Sequence, residues 1–224
     1  MAIARWKQVV LDAGNVAFLG EFWGAALNRP WKPKKDTYGF VTGPTAGHVV
    51  WINAVPEPKT VKNRVHLDIY ARSLANLEAL GATVVEPFPR WTVMADPEGG
   101  EFCAFLRDDL PADRLHGLVV DCADPAAQAR WWGAVYGVDV IDKGEWATLE
   151  GVPGMPIQTM DFVPVPEPKT VKNRVHWDVT VPSVESVAAL VSVGATVLRE
   201  PDDEIFWHVL ADPEGNEFCV FTAG

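Results

Sequence analysis

Cysteine is scarce in this chain, and long apolar runs are missing. Only Cys103, Cys122 and Cys219 occur in 224 residues. An odd number without close spacing is no disulfide framework, so a reducing, cytoplasmic setting is expected. No apolar stretch approaches the roughly 20 residues of a membrane span, and Met1 to Lys7 leads into no signal-like apolar core. Positive charge is also short: 19 Lys and Arg against 30 Asp and Glu leave a net charge of -11. Such a field repels phosphate, which argues against nucleic acid and anionic membrane as partners. No nucleophile triad, phosphate loop or dinucleotide signature appears.

What the chain does have is a repeat. Val55-Pro56-Glu57-Pro58-Lys59-Thr60-Val61-Lys62-Asn63-Arg64-Val65-His66 recurs unchanged as Val165 to His176, with Asp68 and Asp178 following at the same spacing. Around that anchor Phe22-Trp23-Gly24-Ala25 aligns with Trp131-Trp132-Gly133-Ala134, and Gly81-Ala82-Thr83-Val84 with Gly194-Ala195-Thr196-Val197. Ala95-Asp96-Pro97-Glu98-Gly99 aligns with Ala211-Asp212-Pro213-Glu214-Gly215, and each copy closes on Glu-Phe-Cys. Two homologous domains are expected at 1–107 and 114–224, joined by a polar linker at 108–113. With 48% apolar residues the chain can bury two modest cores or one shared one.

Within each copy the order of elements repeats again. Lys7 to Ala13 reads as a buried strand, and Val16, Leu19, Trp23 and Ala26 fall at helical spacing. In the second copy Asp124 is a helix N-cap, Pro125 suits the first helical position, and Gly137 suits a left-handed C-terminus. Strands are expected at 37–42, 47–54, 138–142, 145–150 and 156–163, with 31–35 as an edge strand. Arg64 to Ala71 alternates as a strand, Leu74, Leu77 and Leu80 mark a short helix, and strands follow at 83–87, 91–95 and 101–106. Each domain is therefore a pair of βαβββ modules, and the fold class is α+β.

The βαβββ pairs, the Lys-Asn-Arg-Val-His-x-Asp strand and the Asp-Pro-Glu-Gly-x-Glu-Phe-Cys ending resemble the vicinal oxygen chelate superfamily, which includes glyoxalase I, bleomycin-resistance proteins and extradiol dioxygenases. They look most like its bacterial glyoxalase-like branch. The resemblance implies curved sheets forming a half-open barrel around one ligand cavity per domain, in many relatives with a divalent metal. Carried over residue by residue, the metal positions fall on Gln8, His66 and Cys103 in the first domain and on Gly117, His176 and Cys219 in the second. A glutamate is implied where Cys103 and Cys219 stand, and Gly117 offers no ligand. His116 lies next door, but one residue along a strand faces the other way. A bound metal is therefore not the expectation, and both cysteines read better as small buried hydrophobes than as soft-metal ligands.

Strand alternation places Asp68 and Tyr70 on the cavity face with His66, and Asp178 and Thr180 with His176, while Val65, Leu67, Ile69 and Trp177 turn to the helices. The His–Asp pairs suit a packing role as well as acid–base chemistry. Ten tryptophans are unusual: they fill cores or line a cavity for a flat ligand. Trp51, Trp91, Trp146 and Trp207 are the candidate cavity walls. Lys59, Lys62 and Arg64, with Lys169, Lys172 and Arg174, read as a structural device docking one domain on the other rather than as a gate for an acidic ligand. Two functions remain. One is a metal-free binder that sequesters or carries an aromatic or apolar compound, as a monomer imitating a dimer or as a dimer. The other is a lyase or isomerase using His66 or His176 as acid–base group or divergent metal ligand.

Overall fold

The computed structural model describes residues 2–223. The first module runs β1 (Arg5–Ala13), α1 (Val16–Leu27), β2 (Trp31–Lys35), β3 (Tyr38–Val41) and β4 (Val50–Ala54). The second runs β5 (Val65–Ala71), α2 (Leu74–Glu78), β6 (Thr83–Pro87), β7 (Thr92–Ala95) and β8 (Glu101–Leu106). The third is β9 (Leu115–Cys122), α3 (Pro125–Tyr136), β10 (Val140–Asp142), β11 (Ala147–Glu150) and β12 (Thr159–Pro164). The fourth is β13 (Val175–Val181), α4 (Glu185–Ser192), β14 (Thr196–Arg199), β15 (His208–Ala211) and β16 (Glu217–Thr222). Asp124 caps α3 by accepting from the Ala127 N–H, and Gly137 ends it at φ 68°, as the sequence predicts. Asn15 caps α1 in the same way, and Asn28 closes it at φ 55°, a conformation asparagine tolerates better than most residues.

The sheets cross between the halves. One has the order β14-β15-β16-β13-β1-β4-β3-β2, the other β10-β11-β12-β9-β5-β8-β7-β6, and neither closes into a barrel. The first therefore joins modules one and four, and the second joins modules two and three. The seams are antiparallel, β1 on β13 and β5 on β9, whereas first and last strands within a module pair in parallel. This corrects the expectation of a cavity built within each half: each sheet draws on both. Gln8 consequently sits in a different sheet from His66 and Cys103.

One apolar core serves both sheets. Helix α1 packs on its own β2–β4 and sends Phe22 and Trp23 onto Phe102 of the other sheet, with ring centroids 5.9 and 5.3 Å away. Helix α3 does the reverse, with Trp132 against Trp177 and Phe218 at 4.9 and 5.0 Å. Trp177 is fully buried in this core together with Val65, Leu67 and Ile69, as alternation predicts.

The repeated motifs hold the halves together. Arg64 Nη1 donates to the Glu167 carbonyl at 2.5 Å and Arg174 Nη1 to the Glu57 carbonyl at 2.7 Å, so each loop grips its twin. Lys62 pairs with Asp121 and Lys172 with Asp12, each reaching the first strand of the opposite half. Lys59 and Lys169 pair at 2.9 and 2.7 Å with Glu101 and Glu217, which also accept the backbone N–H groups of Asn63 and Asn173. Glu98 and Glu214 of the Asp-Pro-Glu-Gly turns accept from backbone N–H groups just before α1 and α3. The basic loops are thus structural latches.

Two outcomes follow. A 1–107 fragment exposes the seam edges of β1 and β5, and because β5 repeats the β13 sequence, two fragments should pair β1 on β5 across a twofold axis. Light scattering should report a dimer, and a stable monomer with a cooperative melt would contradict the crossed arrangement. Arg64→Gln or Arg174→Gln should lower stability by about 1–3 kcal/mol, as expected for lost hydrogen bonds from a charged donor, while leaving ligand affinity within a few fold. A large, salt-sensitive loss of binding at unchanged melting temperature would restore the gating role.

Candidate functional site

The seam strands carry the chemistry. On β5, His66, Asp68 and Tyr70 alternate onto the face away from the helices, and β8 sets Cys103 beside Asp68 and Phe105 beside Tyr70. Across the seam Asp68 lies opposite Gly117 but Ile69 lies opposite Leu115, so His116 is an extra residue in β9. Such a bulge breaks strict alternation. It brings His116 onto the cavity face, where its Nδ1 lies 2.9 Å from Tyr70 Oη and its ring stacks on that tyrosine at 4.6 Å. The expectation that His116 faces away is therefore wrong. Gly117 points the same way, since a Cβ placed there would meet Thr159 Oγ1 at 3.0 Å and Asp68 Cβ at 3.5 Å.

His66 Nε2 stands 3.5 Å from Cys103 Sγ and 3.6 Å from Asp68 Oδ1. Asp68 is 7% exposed, and its Oδ1 has no hydrogen-bond partner among the described residues. Burial, with Lys62 nearby, lowers the imidazole pKa from 6.5 to about 4. Burial, with Asp161 nearby, raises the Asp68 carboxyl from 3.8 to about 7. Burial and Asp68 also push the Cys103 thiol well up. Around neutrality, then, the ring and thiol are uncharged and the carboxyl is near its midpoint. The His66–Asp68 approach is not an ion pair.

These shifts carry opposite signs in stability. Asp68 contributes stability that is full below pH 3.8 and lost as pH rises to about 7. His66 contributes stability that is full above pH 6.5 and lost as pH falls to about 4. The two largely cancel in the intact chain. Relative to it, His66→Gln should gain melting temperature as pH falls through this window, and Asp68→Asn should gain as pH rises. Thermal melts from pH 4 to 7 will check this, and parallel profiles for all three proteins would contradict it.

A cavity of about 920 Å³ opens over this cluster, lined among others by Phe88, Trp91, Phe105, Trp146, His116 and Asp161. Trp91 stacks on Phe88 at 5.1 Å and on Phe105 at 6.0 Å. Trp91 and Trp146 line this cavity, whereas Trp51 and Trp207 lie with the other sheet. There Trp207 stacks on Phe221 at 5.4 Å and Trp51 packs on Phe40 at 4.9 Å. Phe88, Phe105, His116 and Asp161 were not predicted. Phe105 was within reach, because it lies two residues beyond Cys103 on the same strand face.

The first sheet carries a matching cluster of His176, Asp178 and Cys219. Cys219 Sγ lies 3.7 Å from His176 Nε2, and Gln8 Nε2 donates to Asp178 Oδ2 at 2.7 Å. Burial pushes the Asp178 carboxyl and the Cys219 thiol upward here too. Gln8 thus belongs with His176, and the predicted Gln8–His66–Cys103 set is not formed.

Asp68, rather than Gln8, completes a donor set with His66 and Cys103, all ligand atoms lying within 4.8 Å of one another. Zn–S and Zn–N bonds of roughly 2.3 and 2.0 Å in a tetrahedron place donors about 3.3–3.6 Å apart. The 3.5 and 3.6 Å spacings fit such a borderline-soft ion, not a six-coordinate oxygen-rich one. Binding would have to displace a proton held tightly by the buried thiol.

A family model described as a glyoxalase-like domain matches residues 8–105 and again 117–221. Glyoxalase I from Zea mays is similar in structure, with TM-score 0.75 at 14% identity over 97% of this chain and 92% of that one. The cppA protein from Streptococcus pneumoniae TIGR4 reaches TM-score 0.53 at 10% identity over 98% of this chain and 99% of that one. Likeness at such identities concerns the fold alone. No curated protein matches.

Proposed function

The chain belongs to the glyoxalase-like domain family, in two tandem copies within the vicinal oxygen chelate fold, and from that premise we propose that it is a small-molecule-binding protein working through the second-sheet cavity. The ligand is a planar aromatic or apolar compound, held for sequestration or carriage. The observation that carries this reading is the stacked Phe88, Trp91 and Phe105 wall above a buried carboxyl whose Oδ1 lacks a partner among the described residues. Aromatic faces supply sequence-independent affinity for a flat molecule, and a buried acceptor fixes its orientation. The tightly held proton of the buried Cys103 thiol suits a site that works without a metal.

The spacing of His66, Asp68 and Cys103 favours a second reading, an enzyme of the lyase or isomerase type. Those three side chains would hold a zinc-like ion, which when bound supplies Lewis acidity. His116 and Tyr70, joined by their hydrogen bond at the cavity rim, are then the groups able to pass a proton. His66 or His176 acting without metal belongs to the same reading.

Metal analysis of the purified protein, followed by tryptophan-fluorescence titration with aromatic and polycyclic compounds, separates the two. We expect substoichiometric metal, a melting temperature indifferent to chelator, and quenching without transformation. His66→Ala should weaken binding by about 1–3 kcal/mol, the range for one buried polar contact. One metal per chain surviving dialysis, or turnover that disappears in His66→Ala, would overturn the binder.

A further inference from the structure

The two His–Asp–Cys clusters differ in what the opposing seam strand lays over them. Strand β1 bulges as β9 does: Trp6 lies opposite Val179 and Gln8 opposite Asp178, leaving Lys7 as the extra residue. Lys7 therefore corresponds to His116, and Gln8 to Gly117. In the first sheet Gln8 occupies Asp178 Oδ2 at 2.7 Å, and the Lys7 ammonium sits 4.3 Å above the centre of the Phe221 ring. Burial lowers the Lys7 pKa, and nearby Asp178 offsets this only in part. The chain thus sets its own cation beside that cluster.

The second sheet keeps the receiving surfaces but sets an imidazole ring, His116, beside Phe105 at 5.3 Å where the first sheet sets a cation beside Phe221. Phe105 corresponds to Phe221, Cys103 to Cys219 and Asp68 to Asp178. Gly117 leaves room over Asp68, and His116 stacks on Tyr70 and meets Phe105 edge-to-face, its pKa lowered by burial. Phe105, Cys103 and Asp68 instead border the cavity. A second carboxylate, Asp161, lies within it, with one oxygen accepting from Thr159 Oγ1 at 2.7 Å. Three cations also line the cavity: Lys62, which is paired with Asp121, and the exposed Arg90 and Arg107, which sit over Trp91 and Tyr70.

We propose that the second-sheet cavity takes a ligand bearing a protonated amine beside a planar aromatic group, the ammonium lying against Asp68 where Gly117 leaves room, with Phe105 and Asp161 bordering the same cavity. A charge-assisted hydrogen bond would act there in a water-poor site. This rests on the binding reading above and gives that ligand a chemical class.

Calorimetry with 2-naphthylmethylamine and its neutral counterpart 2-naphthylmethanol tests it on the intact chain, with metal content measured. The amine should bind one per chain and about tenfold or more tighter than the alcohol, the order expected for a charge-assisted contact. Asp68→Asn should erase the preference while retaining naphthyl binding. Gly117→Gln, which installs the side chain of the closed copy, should abolish binding of both probes in a protein with an unchanged circular dichroism spectrum. Equal or tighter binding of the alcohol would overturn the amine assignment and leave an aromatic binder. Two equivalent amine sites, or full binding by a folded Gly117→Gln variant, would overturn the distinction between the two clusters. Binding of neither probe would remove the binding reading along with the proposal.

Discussion

The structure depends on the antiparallel crossing of β1 on β13 and β5 on β9. A sheet assembled from both halves needs the two halves to meet across a pseudo-twofold axis, and such a meeting is self-complementary: whatever one loop offers, its twin must accept. Arg64 holds a carbonyl of the 165–176 segment and Arg174 holds one of the 55–66 segment. A change in one loop would disturb both its own grip and the grip of its twin. That accounts for a repeat frozen over twelve residues in a chain whose halves otherwise differ widely. It also accounts for basic side chains that meet carboxylates and carbonyls within the chain.

The same crossing divides the sites into a constant part and a variable part. The strands that follow the repeated loops bring His66, Asp68 and Cys103 to one sheet and His176, Asp178 and Cys219 to the other. The partner strand across each seam lies outside the repeat, and there the copies part: Lys7 and Gln8 against His116 and Gly117. Scaffold and latch therefore resist change while the roof over each cluster varies. Duplication followed by divergence of one strand is enough to give two sites of different content.

Much of this was legible in sequence. The four modules, Asp124 and Gly137 as caps, the inward turn of Trp177 and the cavity-facing His66 and Asp68 follow from local periodicity and cap chemistry. Ends set by loop conformation were less so: β4 begins at Val50 behind a short turn of 3₁₀ helix at Ala46–His48, not at Gly47, and β12 begins at Thr159. The larger gap is non-local. Nothing in residues 1–107 reveals whether β1 pairs with β5 or with its copy β13, since the repeated segment suits either edge. Gln8 was consequently grouped with the wrong histidine. His116 was missed for a related reason: a bulge is a property of two paired strands, and alternation along one strand cannot announce it.

A buried triad of imidazole, carboxyl and thiol might suggest catalysis, yet its electrostatics here favour uncharged forms. Desolvation opposes each charge separately, lowering His66 and raising Asp68 and Cys103. A nucleophilic cysteine needs a stabilised thiolate, and Cys103 has the opposite environment. What the cluster retains is an acceptor at Asp68 whose Oδ1 is unsatisfied among the described residues, and a buried polar atom left unpaired is destabilising until something binds it. In the first sheet Asp178 Oδ1 is likewise without a partner among the described residues, but Gln8 covers the other oxygen, Oδ2. In the second, Gly117 provides no side chain to do the same, and the space it leaves beside Asp68 is open to a donor carried by a ligand.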